Sequence, residues 1–133
     1  MKVAICSSMA FAKEMIRIKN ELKSKGYKVI IQEDVEMHAE GKIKEEDKWR
    51  KLQIDPIKNY YKEIKKADAI LVINMDKNNI KNYIGGNVLI EMAFAYVLNK
   101  KIFLLNPVPK LSYTDEIEAM KPIILNGDLN KIK

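Results

Sequence analysis

Apolar positions along the chain alternate between short continuous runs and spaced helical stripes. Lys2–Cys6 (Lys-Val-Ala-Ile-Cys) is a continuous run, the pattern of a strand buried on both faces. In residues 11–25 the spacing becomes helical. Phe11, Met15, Ile18 and Leu22 share one face, Lys and Glu occupy the other, and Gly26 closes the helix. A second strand follows at residues 27–32. Strand, turn, helix, strand implies a right-handed parallel crossover.

Residues 33–53 change character. They are rich in Glu, Lys and Asp, with scattered Val35, Met37, Ile43, Trp49 and Leu52. The pattern predicts a long loop with a helical portion, either a lid over a site or a solvated connector. Trp49 is expected to anchor it to the core. Asp55-Pro56 then opens a helix, Asp55 as N-cap and Pro56 in the first turn. Ile57, Tyr60, Tyr61 and Ile64 mark its expected buried face. The run at residues 69–74 (Ala-Ile-Leu-Val-Ile-Asn) reads as a buried parallel strand. Asp68 precedes it at the amino end, where a turn hydrogen bond is the expected role.

The rest of the chain is organised around residues 82–105. This stretch reads as loop, helix, turn and strand. Asn87 is the expected N-cap, and Gly85 and Gly86 are read as loop positions that permit unusual backbone angles and a close approach by a ligand. From Val88 to Leu98 the helix is apolar nearly all round, so burial is expected. Glu91 is the only charge between Asn87 and Asn99. A buried unpaired carboxylate is costly. About one turn into the helix it would lie near the positive end of the dipole, facing the preceding loop. The alternative is that Glu91 points outward or pairs with a distant lysine.

A strand at residues 101–105 follows, then a stiff Asn106-Pro107-Val108-Pro109 loop, a short helix near residues 113–120 and a last strand at residues 123–125. The alternation predicts an α/β fold of three layers. Its doubly wound, flavodoxin- or Rossmann-like parallel sheet has five strands in the order 2-1-3-4-5, formed by residues 1–133 as one domain. Such sheets bind ligands at the carboxyl ends of their strands. Ser7 and Ser8 lie at that edge, suited either to a phosphate or sugar hydroxyl or to capping the next helix. Asp76, Asn78, Asn79, Asn82, Tyr83 and Asn106 lie there as well.

Composition narrows the classes. The chain has 133 residues, 47% hydrophobic and 32% charged, ordinary for a globular domain. No apolar run reaches the roughly 18 residues of a membrane span. No signal peptide precedes the first strand, and a cytoplasmic protein is expected. Cys6 is the only cysteine and His38 the only histidine, which excludes an internal disulfide and argues against a Cys/His zinc site. The net charge of +6 comes mainly from dispersed lysines, so neither nucleic acid nor a membrane is an expected partner.

The residues Ala67-Asp68-Ala69-Ile70-Leu71-Val72, Tyr83-Ile84-Gly85-Gly86, Ile90-Glu91-Met92-Ala93-Phe94-Ala95 and Asn99-Lys100-Lys101-Ile102-Phe103 resemble the nucleoside 2-deoxyribosyltransferase family and its deoxynucleotide N-glycosidase relatives. The resemblance implies that Glu91 is the nucleophile, forming a glycosyl-enzyme that water or a second base resolves. It implies a small nucleoside or nucleotide as substrate, no cofactor or metal, and a homodimer or larger homo-oligomer. Ser7, Ser8, Gly85 and Gly86 would cradle the sugar or phosphate, with Asn106 on the base side. The chain departs from the family at Ser7-Ser8-Met9, where a Tyr or a Gly-rich loop is usual. It departs again at Asn59 and Tyr60, where an Asp often holds the sugar, and its loop from Asp68 to Glu91 is longer than usual. Asp76 is the candidate for the missing carboxylate. A non-catalytic nucleotide-binding or sensor domain on the same scaffold is the second expectation. A flavodoxin-type cofactor protein is a distant third, because the Ser7-Ser8 turn lacks that group's phosphate loop.

Overall fold

β1 (Lys2–Cys6) pairs in parallel with β2 (Lys28–Ile30) on one side and β3 (Ala69–Val72) on the other. β4 (Lys101–Leu104) and β5 (Ile123–Ile124) extend the sheet, giving five parallel strands in the order β2-β1-β3-β4-β5. This is the predicted order. The computed structural model describes residues 1–33, 35–41 and 55–133. Of the expected lid, α2 (Val35–Ala39) follows β2, and Val35 is fully buried. The Trp49 anchor lies outside the described residues.

Side chains alternate along each strand, and this sorts the core into two layers. Val3, Ile5, Leu71 and Phe103 face α1 (Ala12–Ser24), which contributes Met15, Ile18 and Leu22. Ala4, Cys6, Ile70, Val72 and Leu104 face the opposite layer. That layer is built from α3 (Pro56–Lys66), α4 (Gly86–Val97) and α5 (Thr114–Ala119). No helix among the described residues is long and apolar enough to cross a membrane.

Local chemistry sets most element ends as expected. Gly26 has φ +94 after α1, and the Tyr27 amide donates back to Leu22 O at 3.1 Å, closing the helix. Asp55 caps α3, its Oδ1 accepting from the Lys58 amide at 3.2 Å with Pro56 beginning the helix. Asp68 has a structural role, but across the sheet rather than in a turn: its Oδ2 accepts from the amide of Lys2 on β1 at 2.7 Å, and its own amide donates to Lys2 O at 2.8 Å.

Several expectations about helices are corrected. On α3 only Tyr60 and Ile64 point fully inward; Ile57 is 44% exposed, and Tyr61 packs edge-on against Phe94 at 4.9 Å. α4 begins two residues before the expected start. Gly85 is its N-cap with φ −85 and ψ 177, and Asn87 is an exposed residue of the first turn. Neither Gly85 nor Gly86 has positive φ, so neither supplies a special backbone angle. Nor is α4 buried all round. Val88, Glu91, Met92 and Ala95 form its inward face at i, i+3, i+4 and i+7. Ile90, Tyr96 and Val97 face outward at 39%, 47% and 76% exposure.

Candidate functional site

Glu91 occupies a core slot of α4 that an apolar residue would normally fill. It is 6% exposed. The corrected helix start places it more than a turn inside α4, so the dipole contributes little to its ionisation. Its partners are neutral. The Gln32 amide, two residues beyond β2, donates from Nε2 to Glu91 Oε2 at 3.3 Å. The Cys6 thiol, at the end of β1, lies beside the carboxyl and favours its ionised form. Among the described residues no Lys or Arg is paired with it.

Burial therefore dominates, pushing the Glu91 carboxyl up to about 8, while Cys6 and the hydrogen bond from Gln32 oppose the rise. Burial likewise holds the Cys6 thiol well above its usual range, reinforced by the nearby Glu91. Tyr60 completes the cluster from α3. Its hydroxyl donates to Ile5 O and lies 3.3 Å from Ile30 O, tying the ends of β1 and β2 together. Its phenol is raised by burial first and then by Cys6 and Glu91. Tyr60 stands near the place where a sugar-holding Asp was sought, but its hydroxyl is spent on main-chain carbonyls.

A second feature opens at the switch point of the sheet, where β1 is followed by α1 on one face and β3 by α4 on the other. Here lies a cleft of about 960 Å³ with Met9, Phe11, Met75, Asp76, Asn82 and Asn106 among its walls. Glu91 is not part of its lining. Asp76 and Asn106 therefore share this cleft, and Glu91 belongs to the separate buried cluster.

Three of the polar residues expected at this edge have structural duties. Ser7 is buried and donates to Ile73 O at 3.0 Å, joining the ends of β1 and β3. Ser8 Oγ accepts from the Ala10 amide at 3.2 Å, capping the 3₁₀ turn Met9–Phe11 before α1, and also receives Lys77 Nζ at 3.2 Å. Asp76 is exposed, and its Oδ1 accepts from the Asn82 amide at 3.0 Å. The asparagines of the loop serve its shape. Lys77 and Ile80 exchange main-chain hydrogen bonds at 3.0 and 2.9 Å around Asn78 and Asn79, whose φ values are 52 and 61. Two left-handed residues in succession make the tight hairpin turn for which Asn is suited.

Asn106 and the fully buried Asn74 form a reciprocal pair. Asn74 Nδ2 donates to Asn106 O at 2.9 Å and to Pro107 O at 3.1 Å. Asn106 returns its amide to Asn74 Oδ1 and its Nδ2 to Asn74 O, both at 2.9 Å. Gly85 lies against Tyr83: a Cβ there would meet Tyr83 Oη at 3.0 Å. Lys77 Nζ lies 5.3 Å from the centroid of the same ring.

The sequence singled out Glu91 but not its three neighbours. Gln32 had one visible signal, an amide at the carboxyl end of an apolar strand. Cys6 had another, because strand alternation turns it toward the α4 layer. No family model, curated protein or solved structure matches the chain.

Proposed function

We propose that this protein cleaves or transfers the N-glycosidic bond of a small deoxynucleoside or nucleotide, with Glu91 as nucleophile. The observation that carries the proposal is a buried carboxyl held by neutral donors at the carboxyl edge of the sheet, without a cation paired to it among the described residues. A carboxylate in that setting is poorly solvated and reactive once ionised. Its oxygen attacks C1′ of the sugar. The C1′–N bond breaks, and its electron pair leaves with the base, which takes up a proton from water. A water molecule or a second base then attacks C1′ of the glycosyl-enzyme. The ester breaks, the Glu91 carboxylate is restored, and the attacking group loses its proton. The residue resemblance described above supports the same chemistry.

The decisive experiment is chromatographic detection of free base. The protein is incubated with each deoxynucleoside and its 5′-monophosphate, with and without an acceptor base, beside Glu91→Ala. Base release that disappears in Glu91→Ala supports the proposal; equal release by the variant overturns it.

One observation favours a second reading, a nucleotide-binding or sensor domain without turnover. Among the described residues no second carboxylate is paired with Glu91: Asp76 lines the cleft at the switch point and Tyr60 is engaged with main-chain carbonyls. Tight nucleotide binding with no base release would support this reading. In either case the proposed setting is the cytoplasm, where Cys6 stays a buried thiol, and the proposed assembly is a homodimer or larger. The outward apolar residues of α4 support that assembly.

A further inference from the structure

We infer that Gln32, together with Cys6, is a positioning residue for Glu91, holding its carboxyl in one orientation through donors that carry no charge. The inference rests on the reading of Glu91 as the reacting group. Three elements converge on this carboxyl. α4 carries it into the core at an inward slot, β1 presents the Cys6 thiol, and the chain leaving β2 presents the Gln32 amide at 3.3 Å. A Glu side chain has three rotatable bonds, and in a core slot it has no water to restrain it. The Gln32 donor and the neighbouring Cys6 thiol, brought from different parts of the chain, hold its orientation.

The neutrality of the donors matters to the chemistry. A lysine or arginine here would hold the carboxylate ionised but would also draw off its charge and repel the positive charge that develops at C1′. Gln32 and Cys6 orient the group without doing either. Among the described residues, Tyr60 from α3 also faces the cluster, and Glu63 of the same helix acts on Tyr60 in turn. The Tyr60 hydroxyl is occupied by the Ile5 and Ile30 carbonyls, so it does not compete for the carboxyl. Gln32 is half-buried, two residues beyond β2 rather than in the core, so its side chain can change without dismantling the fold.

The test uses the whole chain labelled with ¹³C at the Glu side-chain carboxyls, the Glu91 resonance being assigned by its loss in Glu91→Gln. The titration midpoint of Glu91 is compared in wild type, Gln32→Leu and Cys6→Ser, with circular dichroism checking that each variant is folded. Gln32→Leu removes the amide donor and should raise the midpoint by about one pH unit. Its base-release kcat should fall about tenfold, KM should stay within about twofold, and the acid limb of the pH profile should move up by the same unit. Cys6→Ser keeps a donor and should leave the midpoint within about half a unit of wild type. A midpoint unmoved in Gln32→Leu overturns the inference whatever the activity. A moved midpoint in a protein whose wild type releases no base leaves the carboxyl held as described and removes the reaction assigned to it.

Discussion

Cys6 and Glu91 meet across the face of the sheet: the last residue of β1 lies beside an inward residue of α4, and both are buried. The contact follows from two periodicities. Strand alternation turns Cys6 toward the α4 layer, and helical spacing puts Glu91 on the same stripe as Val88, Met92 and Ala95. The pH dependence of both stability and activity follows from this burial.

For stability, the folded carboxyl titrates near 8 against an ordinary value of 4.5. The native state therefore holds this proton more tightly than the unfolded chain does. The stabilisation is fully present below about pH 4.5 and is lost as the pH rises through 8. Glu91→Gln removes that loss. By urea unfolding, its advantage over wild type should grow from pH 5 to pH 9 to a few kcal/mol, on the order set by the shift. A difference between the two proteins that does not change with pH would contradict the buried-carboxyl account.

For activity, a nucleophile must be ionised. In wild type, kcat/KM for base release should rise about tenfold per pH unit on the acid side and level off above about 8. A plateau beginning near pH 5 would mean that the reacting group is an ordinary exposed carboxylate instead.

Asp76 separates the two candidate regions experimentally. It lines the cleft at the switch point and accepts from the Asn82 amide, while Glu91 lies in the cluster with Cys6 and Gln32. Asp76→Asn keeps an oxygen for that amide. Base release should stay within about threefold of wild type, because general acid–base residues are worth about 100-fold or more. A loss of that larger size would place Asp76 in the reaction and require the hairpin to bring it to Glu91.

The architecture was legible in the sequence because each element advertises its burial. The apolar runs of β1 and β3 read as central strands, and the stripe at Met15, Ile18 and Leu22 as a helix face turned to a sheet. What failed was local. Asn87 looked like the better cap, yet Gly85 takes that position with extended backbone, and a glycine carries no side-chain signal. The apolar composition of residues 88–98 suggested burial all round, but a helix against one sheet has one inward stripe. Composition cannot say that Ile90 and Val97 fall outside it. At the site, Glu91 stood out as a lone charge. The role of Gln32 did not, because its contact spans 59 positions of sequence that no periodicity connects. The asparagines of the hairpin looked like ligands and proved to be turn formers, which only their φ values reveal.

The Asn74–Asn106 pair ties the end of β3 to the loop after β4 through four hydrogen bonds. Asn74→Ala leaves the Asn106 amide and the Asn106 and Pro107 carbonyls without those partners. The expected loss is about 2–4 kcal/mol, since each unsatisfied buried group costs about 1–3. Thermal unfolding of Asn74→Ala against wild type measures it. A loss under about 0.5 kcal/mol would mean that water replaces the asparagine without penalty.

The outward face of α4 provides the last prediction. Ile90, Tyr96 and Val97 are exposed on a helix whose Phe94 packs against Tyr61 of α3. Val97, at 76% exposure, makes the least contact with its own fold, so its replacement tests association with little effect on folding. In the homo-oligomer proposed above, Val97→Glu would bury a carboxylate in an apolar contact and oppose assembly. Sedimentation velocity at micromolar concentrations should then show wild type as a dimer or larger and Val97→Glu as a monomer, with thermal stability within about 0.5 kcal/mol once association is accounted for. A monomeric wild type would remove the oligomer from the proposal. A Val97→Glu protein that stays assembled would move the interface to another face.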